Sequence, residues 1–292
     1  MGLIDKIRSS LPIPGRSFRH PEPAAQLLAF VLLERTIGVD EIVALVATVP
    51  GASATPMAHS PSSAEATDPT ETSGPVEITL GGTTGFVLEI SAPVPDGEAE
   101  ASAANNAFWP DAAAAVARHR AHLIVSVSDQ RADGVGDADG ADPGERHTQR
   151  YAAFAHLVAA LLGHEATVGV YLGDQGVVYE PAFYIDAVAG AGDALPWEVA
   201  WFTWAAWESE GVSCGSTRGL RVFGHEELEV RGSTAAPSAV MDLLANIASY
   251  VVESGAVLMP GETLGYTDDQ KLTITAVEAS FVEGHTLAIG LP

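Results

Sequence analysis

The chain has little of what several protein classes require. Its 292 residues include one cysteine, Cys214, which excludes an intramolecular disulfide and a zinc site built from several thiolates. Its longest apolar run, residues 27–33, is far too short to cross a membrane as a helix, and residues 1–20 lack the apolar core of a signal peptide. We therefore expect a cytoplasmic protein.

Basic residues are also scarce. The chain has 14 Lys and Arg against 38 Asp and Glu, a formal net charge of −24. Nucleic acids and anionic bilayers are bound by Lys and Arg, which displace their counterions, so we predict neither as a partner. A basic protein partner fits this charge, but so does a composition bias that serves only solubility, and both interpretations stay open.

The usual cofactor and metal motifs are missing. No glycine-rich phosphate loop lies between a strand and a helix, and there is no His-Glu-x-x-His sequence. The acidic residues of 129–145 do not have the spacing of a calcium loop, and His119 and His122 lack a third ligand at zinc-site spacing. We predict no cofactor and no metal.

The first half of the chain shows alternating and helical apolar patterns. They predict, in order, a strand, a helix, two strands around Gly81 and Gly82, a helix and a strand: 27–33, 39–49, 75–80, 84–90, 109–119 and 122–127. This βαββαβ order predicts a ferredoxin-like module over residues 21–130, after an N-terminal tail of residues 1–20. Residues 52–74, rich in Ser, Thr, Ala and Pro, are predicted to be a disordered insertion.

The second half indicates another α+β module, residues 145–292, beyond an acidic, glycine-rich boundary at 129–144. Its predicted elements begin with a helix over 146–163, a strand over 167–172, a short helix over 181–188, and apolar stretches over 199–207 and 220–223 that we interpret as strands. A helix follows, with Thr234 near its cap, Pro237 in its first turn and Gly255 past its end, and then a final hairpin of 271–279 and 286–289. The β-α-β-β-α order resembles that of the first half, so a degenerate structural duplication is one interpretation.

One stretch, residues 216–230, carries a recognisable pattern: a Thr-x-Gly-Leu step, then Phe-Gly, then an acidic residue before a short strand. The matching residues are Thr217, Gly219, Leu220, Phe223, Gly224 and Glu227. The pattern resembles the C-terminal signature of a bacterial domain of unknown function, family 4261, and this resemblance implies no activity. We expect Gly219 and Gly224 to mark a bulge and a tight turn, and Glu227 to be an exposed strand carboxylate.

A catalytic alternative rests on the Gly-x-Ser-x-Gly pattern of residues 211–215. Ser213 or Cys214 could act as a nucleophile with His225 or His285, which would define a hydrolase-type enzyme. A nucleophile elbow, however, needs a strand before it and a helix after it, and the residues that follow look β-like. A hairpin turn is the favoured interpretation.

Tryptophan is concentrated at Trp197, Trp201, Trp204 and Trp207. The spacing suits a helix or a strand, and the family resemblance favours a strand. Trp201, Trp204 and Trp207 are candidate partner contacts, although core packing would explain them as well. The leading hypothesis is a non-enzymatic protein-interaction module of a toxin-immunity or regulatory kind.

Overall fold

The computed structural model describes residues 18–57, 74–104, 106, 109–128, 143–191, 203–265 and 271–292. These residues form two compact units: residues 25–200, here the N-terminal unit, and residues 1–24 with 201–292, here the C-terminal unit. The described part of the chain contains six α-helices and two β-sheets. The predicted mixed α+β class is confirmed.

The N-terminal unit is built on a seven-stranded sheet in the order β2-β3-β4-β5-β1-β6-β7, with every neighbouring pair antiparallel. Its strands are β1 (Gln26–Leu33), β2 (Ala52–Pro56), β3 (Val76–Leu80), β4 (Thr83–Ile90), β5 (Ala121–Ser128), β6 (Thr167–Leu172) and β7 (Val177–Tyr179). Its helices are α1 (Val39–Val46), α2 (Glu98–Ala103), α3 (Ala112–Val116), α4 (Pro143–Leu162) and α5 (Pro181–Ala191).

Strand β1 is an interior strand of this sheet, between β5 and β6, and its side chains are apolar on both faces. Val31 on one face and Leu32 on the other are both fully buried. Leu32 packs in a core cluster with residues of α2 and α3, including Trp109 just before α3. On the Val31 face, the buried Glu89 accepts hydrogen bonds from the backbone amides of Ile37 (2.5 Å) and Gly38 (3.2 Å), directly before α1. Helices therefore pack on both faces of the sheet.

The predicted elements of this unit are present, but the ferredoxin-like arrangement is not confirmed. Such a module places its first strand between its third and its fourth, whereas the four predicted strands here run β3-β4-β5-β1. The reason is that β5 pairs with β1 along its whole length on one edge and with β4 on the other. The first strand is thereby separated from the third.

Two predicted boundaries also differ from the structure. Residues 52–56 of the predicted disordered insertion form β2, which pairs with β3. Residues 58–73 of that insertion lie outside the described residues. Strand β6 pairs with β1, so the segment predicted to separate two domains, residues 129–144, connects parts of one unit. Residues 129–142 are themselves outside the described part of the chain.

The C-terminal unit contains a six-stranded sheet in the order β11-β12-β13-β10-β9-β8. Its elements are β8 (Thr203–Ser209), β9 (Val212–Arg218), a 3-10 helix (Leu220–Phe223), β10 (Leu228–Ser233), α6 (Pro237–Ser254), β11 (Thr263–Gly265), β12 (Lys271–Glu278) and β13 (His285–Ile289). Strands β10 and β13 are parallel, and the other neighbouring pairs are antiparallel. Because the two sheets differ in strand order and in this parallel pair, the duplication is not confirmed.

Helix α6 covers one face of this sheet. It begins at Pro237 and is followed by Gly255 at φ 66°, as its sequence predicts. A Cβ atom added to Gly215 in β9 would lie 2.7 Å from Val240 Cγ1 and 2.8 Å from Leu244 Cδ1, so this glycine allows the helix to pack closely on the strand. Within the described ranges, no helix has the length and apolar content needed to cross a membrane.

Candidate functional site

The signature residues surround a short 3-10 helix between β9 and β10. Gly219, at φ 111°, precedes this helix, and Gly224, at φ 81°, follows it. Both backbones lie in the region that side chains with a Cβ atom rarely adopt, so both positions require glycine. Leu220 and Phe223 are buried inside the turn. The sequence pattern thus defines one turn of helix bounded by two glycines, where a bulge and a tight turn were predicted. The prediction of a strand over 220–223 was wrong, because the chain turns at positive φ at both Gly219 and Gly224.

Glu227 lies at the centre of this turn. Its Oε2 accepts a hydrogen bond from the Thr217 hydroxyl at 2.8 Å, and its Oε1 accepts from the backbone amides of Gly219 at 2.8 Å and Arg221 at 3.3 Å. These amides are at the start of the 3-10 helix, where the helix offers them no internal partner. The carboxylate therefore caps the helix.

The backbone around Glu227 connects three strands. Its carbonyl accepts hydrogen bonds from the Thr286 hydroxyl and, at 2.9 Å, from the Leu287 amide in β13. The Thr217 hydroxyl in β9 also accepts from the Leu228 amide at 2.8 Å. Glu227 and Thr217 together hold β9, β10 and β13 in register around the helix turn.

Glu227 is 3% exposed, so the prediction of an exposed strand carboxylate was wrong. Burial raises the pKa of Glu227, and the hydrogen bonds from Thr217, Gly219 and Arg221 oppose that rise because they stabilise the charged form. Both carboxylate oxygens are occupied by donors from the fold itself. This geometry suits a structural role and leaves no oxygen directed at a substrate.

Arg221 links the 3-10 turn to the β12–β13 hairpin through hydrogen bonds. Its guanidinium contacts the Glu226 carboxylate at 3.0 Å and donates to the carbonyls of Glu283, at 2.7 Å, and His285. No local pattern pointed to this residue, because its partners Glu283 and His285 are more than sixty positions away in the chain.

Residues 18–24, which we call the N-terminal strap, complete the turn from the other end of the chain. The Ala24 amide donates to the Val222 carbonyl at 3.0 Å. The Glu226 amide donates to His20 Nδ1 at 3.2 Å. A Cβ atom on Gly224 would lie 2.9 Å from Pro23 Cγ, so Gly224 also leaves room for the strap. The predicted N-terminal tail of residues 1–20 included His20, which the structure places at this turn.

The candidate catalytic residues are not brought together. Gly211, at φ 78°, is part of the tight turn between β8 and β9, so the Gly-x-Ser-x-Gly sequence enters a strand of a hairpin, not a nucleophile elbow. Ser213 pairs with Ser233 at the end of β10, whereas His225 precedes β10 and His285 begins β13 at the opposite end, about 20 Å along the strands. No hydrogen bond between described residues joins Ser213 or Cys214 to a histidine.

The tryptophan-rich segment forms strand β8, the arrangement that the family resemblance favoured. Trp204 and Trp207 are three positions apart in β8, so their side chains lie on opposite faces of the sheet. Trp204 pairs with Thr217 and Trp207 pairs with Cys214. Helix α6 packs on the Trp204 face. On the other face, Trp207 makes an edge-to-face contact with Phe281, with ring centroids 4.7 Å apart. Trp197 and Trp201 lie outside the described residues.

The two neighbouring histidines of the N-terminal unit have structural partners. His119 Nε2 accepts from the Val94 amide at 3.0 Å while its Nδ1 lies 2.6 Å from the Val116 carbonyl. His122 Nδ1 lies 2.7 Å from the Ala92 carbonyl, and burial lowers the pKa of His122. Among the residues that the structure describes, no group of three or more His, Cys, Asp or Glu side chains is placed to hold a metal ion.

The fold and this turn define a two-unit α+β protein whose signature is a glutamate-capped 3-10 turn. Residues 216–290 match the family model described as "Domain of unknown function (DUF4261)". The match confirms the resemblance in the C-terminal part of the chain, and it begins at β9, so that β8 and the N-terminal strap lie outside it. No curated protein and no solved structure matches the chain.

The histidine in this turn makes the stability of the C-terminal unit depend on pH. Burial, and then the nearby His20, lower the pKa of His225 from 6.5 to about 4. As the pH falls from about 6.5 to about 4, the unfolded chain binds a proton at His225 that the folded chain does not, so the free energy of unfolding decreases. Above this interval His225 has no such effect.

We expect the variant His225→Phe, which keeps a ring and cannot titrate, to lose less stability than the parent between about pH 7 and about pH 4.5. Urea titrations at the two pH values measure this difference through the midpoint and slope. Equal losses in the parent and the variant would mean that His225 does not carry this pH dependence.

Proposed function

We propose that this protein is a cytoplasmic, non-enzymatic protein-interaction module of a toxin-immunity or regulatory kind. The observation that carries the proposal is the aromatic pair of Trp207 and Phe281 on the face of the C-terminal sheet opposite α6. Phe281 is 54% exposed, and its contact with Trp207 makes it part of an aromatic surface, which distinguishes it from a single exposed apolar side chain.

The pair is held rigidly, which suits a binding surface. Trp207 is fixed in β8, and the loop that carries Phe281 is attached to the sheet because the Ser280 amide donates to the buried Glu229 carboxylate at 2.8 Å. Arg231 Nε donates to the same carboxylate at 2.6 Å. A preorganised aromatic anchor loses little conformational entropy on binding.

The chemistry of the signature also favours this proposal. The Glu227 carboxylate caps the 3-10 helix. Ser213 and Cys214 lie at the far end of the sheet from His225 and His285. An arrangement of nucleophile, base and orienting group is what a hydrolase requires. The interaction hypothesis needs only the exposed aromatic pair and the charge.

The proposed partner is a basic protein, because the formal net charge of the chain is −24. Association should therefore be fast at low ionic strength and should slow steeply as salt is added, with a smaller change in dissociation. A partner recovered from the native host, purified and titrated against the full chain over a salt series, tests this expectation.

For that purified partner we expect Phe281→Ala to weaken binding at least about tenfold, the effect typical of an aromatic residue at the centre of an interface. Tyr250→Ala is the matched control, because Tyr250 is 53% exposed on α6, which packs on the other face of the sheet. Equal affinity of the parent and Phe281→Ala would refute the aromatic surface. An association rate that does not respond to salt would refute the proposed basic partner. The negative charge would then be explained by composition bias.

A further inference from the structure

The N-terminal strap runs antiparallel to the turn that it covers. Ala24 contacts Val222, and His20 contacts Glu226, so the strap and residues 222–226 proceed in opposite directions. Gly224 lies between these two contacts, against Pro23. The strap is therefore fixed at one end by a backbone hydrogen bond and at the other end by the imidazole of His20.

The imidazole of His20 makes hydrogen bonds to the backbones of Glu226 and Leu258, and only one of its protonation states makes both. Its Nδ1 lies 3.2 Å from the Glu226 amide nitrogen, which can only donate, so Nδ1 is the acceptor and carries no proton. Its Nε2 lies 2.7 Å from the Leu258 carbonyl oxygen, which can only accept, so Nε2 carries the proton. Both hydrogen bonds are made only by the neutral imidazole with its proton on Nε2.

A proton on Nδ1 would direct an N–H group at the N–H group of Glu226. That contact has two donors and no acceptor, so the hydrogen bond is lost and the imidazolium faces a positive dipole. The ring of His225, whose centroid is 6.2 Å away, offers no compensating negative charge. Of the hydrogen bonds that His20 makes to described residues, the one to Leu258 would then remain.

Several charged and titratable groups are present on the elements that contact His20. They are Arg19 and Glu22 in the strap, Arg221, His225 and Glu226 in the turn, and Glu262 after Leu258. The Glu226 carboxylate is paired with Arg221, and that of Glu262 accepts from the Met259 amide at 3.0 Å. Because burial lowers the pKa of His225 to about 4, that ring stays neutral above this pH. His20 is thus the group in this cluster whose protonation breaks a hydrogen bond of the strap.

We propose that the N-terminal strap is a pH-dependent latch, which is closed over residues 222–226 while His20 Nδ1 is unprotonated and opens when that nitrogen takes up a proton. The latch goes beyond the proposed interaction function and does not depend on it. Opening would expose the carbonyl of Val222 and the amide of Glu226, the two backbone groups that the strap now covers.

Amide hydrogen exchange on the full chain tests the latch at two of its own hydrogen bonds. Between about pH 7.5 and about pH 5, where histidines commonly exchange protons, we expect the protection factors of the Ala24 and Glu226 amides to fall at least about tenfold. The internal control is the Leu287 amide, which donates to the Glu227 carbonyl, measured in the His225→Phe background, where the unit no longer loses stability through His225; there it should keep its protection. A parallel loss at Leu287 in that background would mean that the unit opens as a whole, and it would overturn the latch.

Two variants isolate His20. His20→Gln retains a donor and an acceptor but does not titrate, so the protection of Ala24 should no longer depend on pH. His225→Phe removes the neighbouring imidazole and should leave the pH response of Ala24 intact. A pH response that persists in His20→Gln, or one that disappears in His225→Phe, would overturn the assignment to His20, as would unchanged protection in the parent.

Discussion

Replacing Glu227 with alanine should lower the free energy of unfolding of the C-terminal unit by about 3–5 kcal/mol. The change leaves the amides of Gly219 and Arg221 without their acceptor at a position that is 3% exposed. It also removes the partner of the Thr217 hydroxyl. Urea unfolding followed by tryptophan fluorescence measures the effect, because Trp204 and Trp207 lie in this unit.

The matched control is Glu227→Gln. Its carbonyl oxygen can still accept from the two amides, and its neutral side chain avoids burying a charge, so we expect a loss of about 1 kcal/mol or less. If the alanine variant were as stable as the glutamine variant, the capping role of Glu227 would be refuted. A stable alanine variant that had lost a binding activity would instead indicate a functional carboxylate.

Replacing Gly85 with alanine should have the largest effect in the N-terminal unit, a loss of more than about 4 kcal/mol or a failure to fold. Gly85 lies in β4 opposite Val127 of β5. A Cβ atom at this position would lie 2.0 Å from the Ser126 carbonyl oxygen and 3.1 Å from Val127 Cα. Both are backbone atoms of a central strand, so no side-chain rotation can relieve the contact.

Gly190→Ala is the control for this substitution. Gly190 is in α5, and an added Cβ atom would have no neighbour within 4 Å. Alanine is the better helix former, so this variant should be as stable as the parent or slightly more stable. Soluble yield and calorimetric unfolding compare the stability of the two variants with that of the parent. An ordinary melting transition for Gly85→Ala would show that β4 and β5 can separate without loss of the fold.

Local patterns were sufficient for most individual elements. Gly81 and Gly82, both at positive φ, join β3 and β4 as the glycine pair predicts, and the apolar spacing of α6 places Val240, Leu244 and Ile247 in the core. These features follow from neighbouring residues, because turn conformation and helix periodicity depend on a few consecutive positions. Strand β2 was missed because its sequence, Ala-Ser-Ala-Thr-Pro, lacks an apolar face and its order depends on pairing with β3.

The candidate site, like the fold, was only partly predictable from the sequence. The spacing of Thr217, Gly219 and Glu227 identified the signature, and the alternating and helical apolar patterns correctly indicated a mixed α+β chain. The role of Glu227 could not be predicted from the sequence, because an acidic residue before a strand is usually exposed. The burial of Glu227 depends on the backbone amides of Gly219 and Arg221, which donate to its carboxylate only in the folded turn. His20 was placed in a tail because nothing near it in the chain points to Glu226, 206 positions away.

The sequence by itself determined the class of the fold, most helices and strands, and the glycine-bounded signature, because each of these depends on residues close together in the chain. Only the tertiary structure decided the strand order around β1, the contact of the strap with residues 222–226, and the separation of Ser213 from His225 and His285. The physical reason is that hydrogen bonds between strands and contacts of buried side chains join distant residues. Many pairings satisfy the same local pattern, and the packing of the whole unit selects one of them.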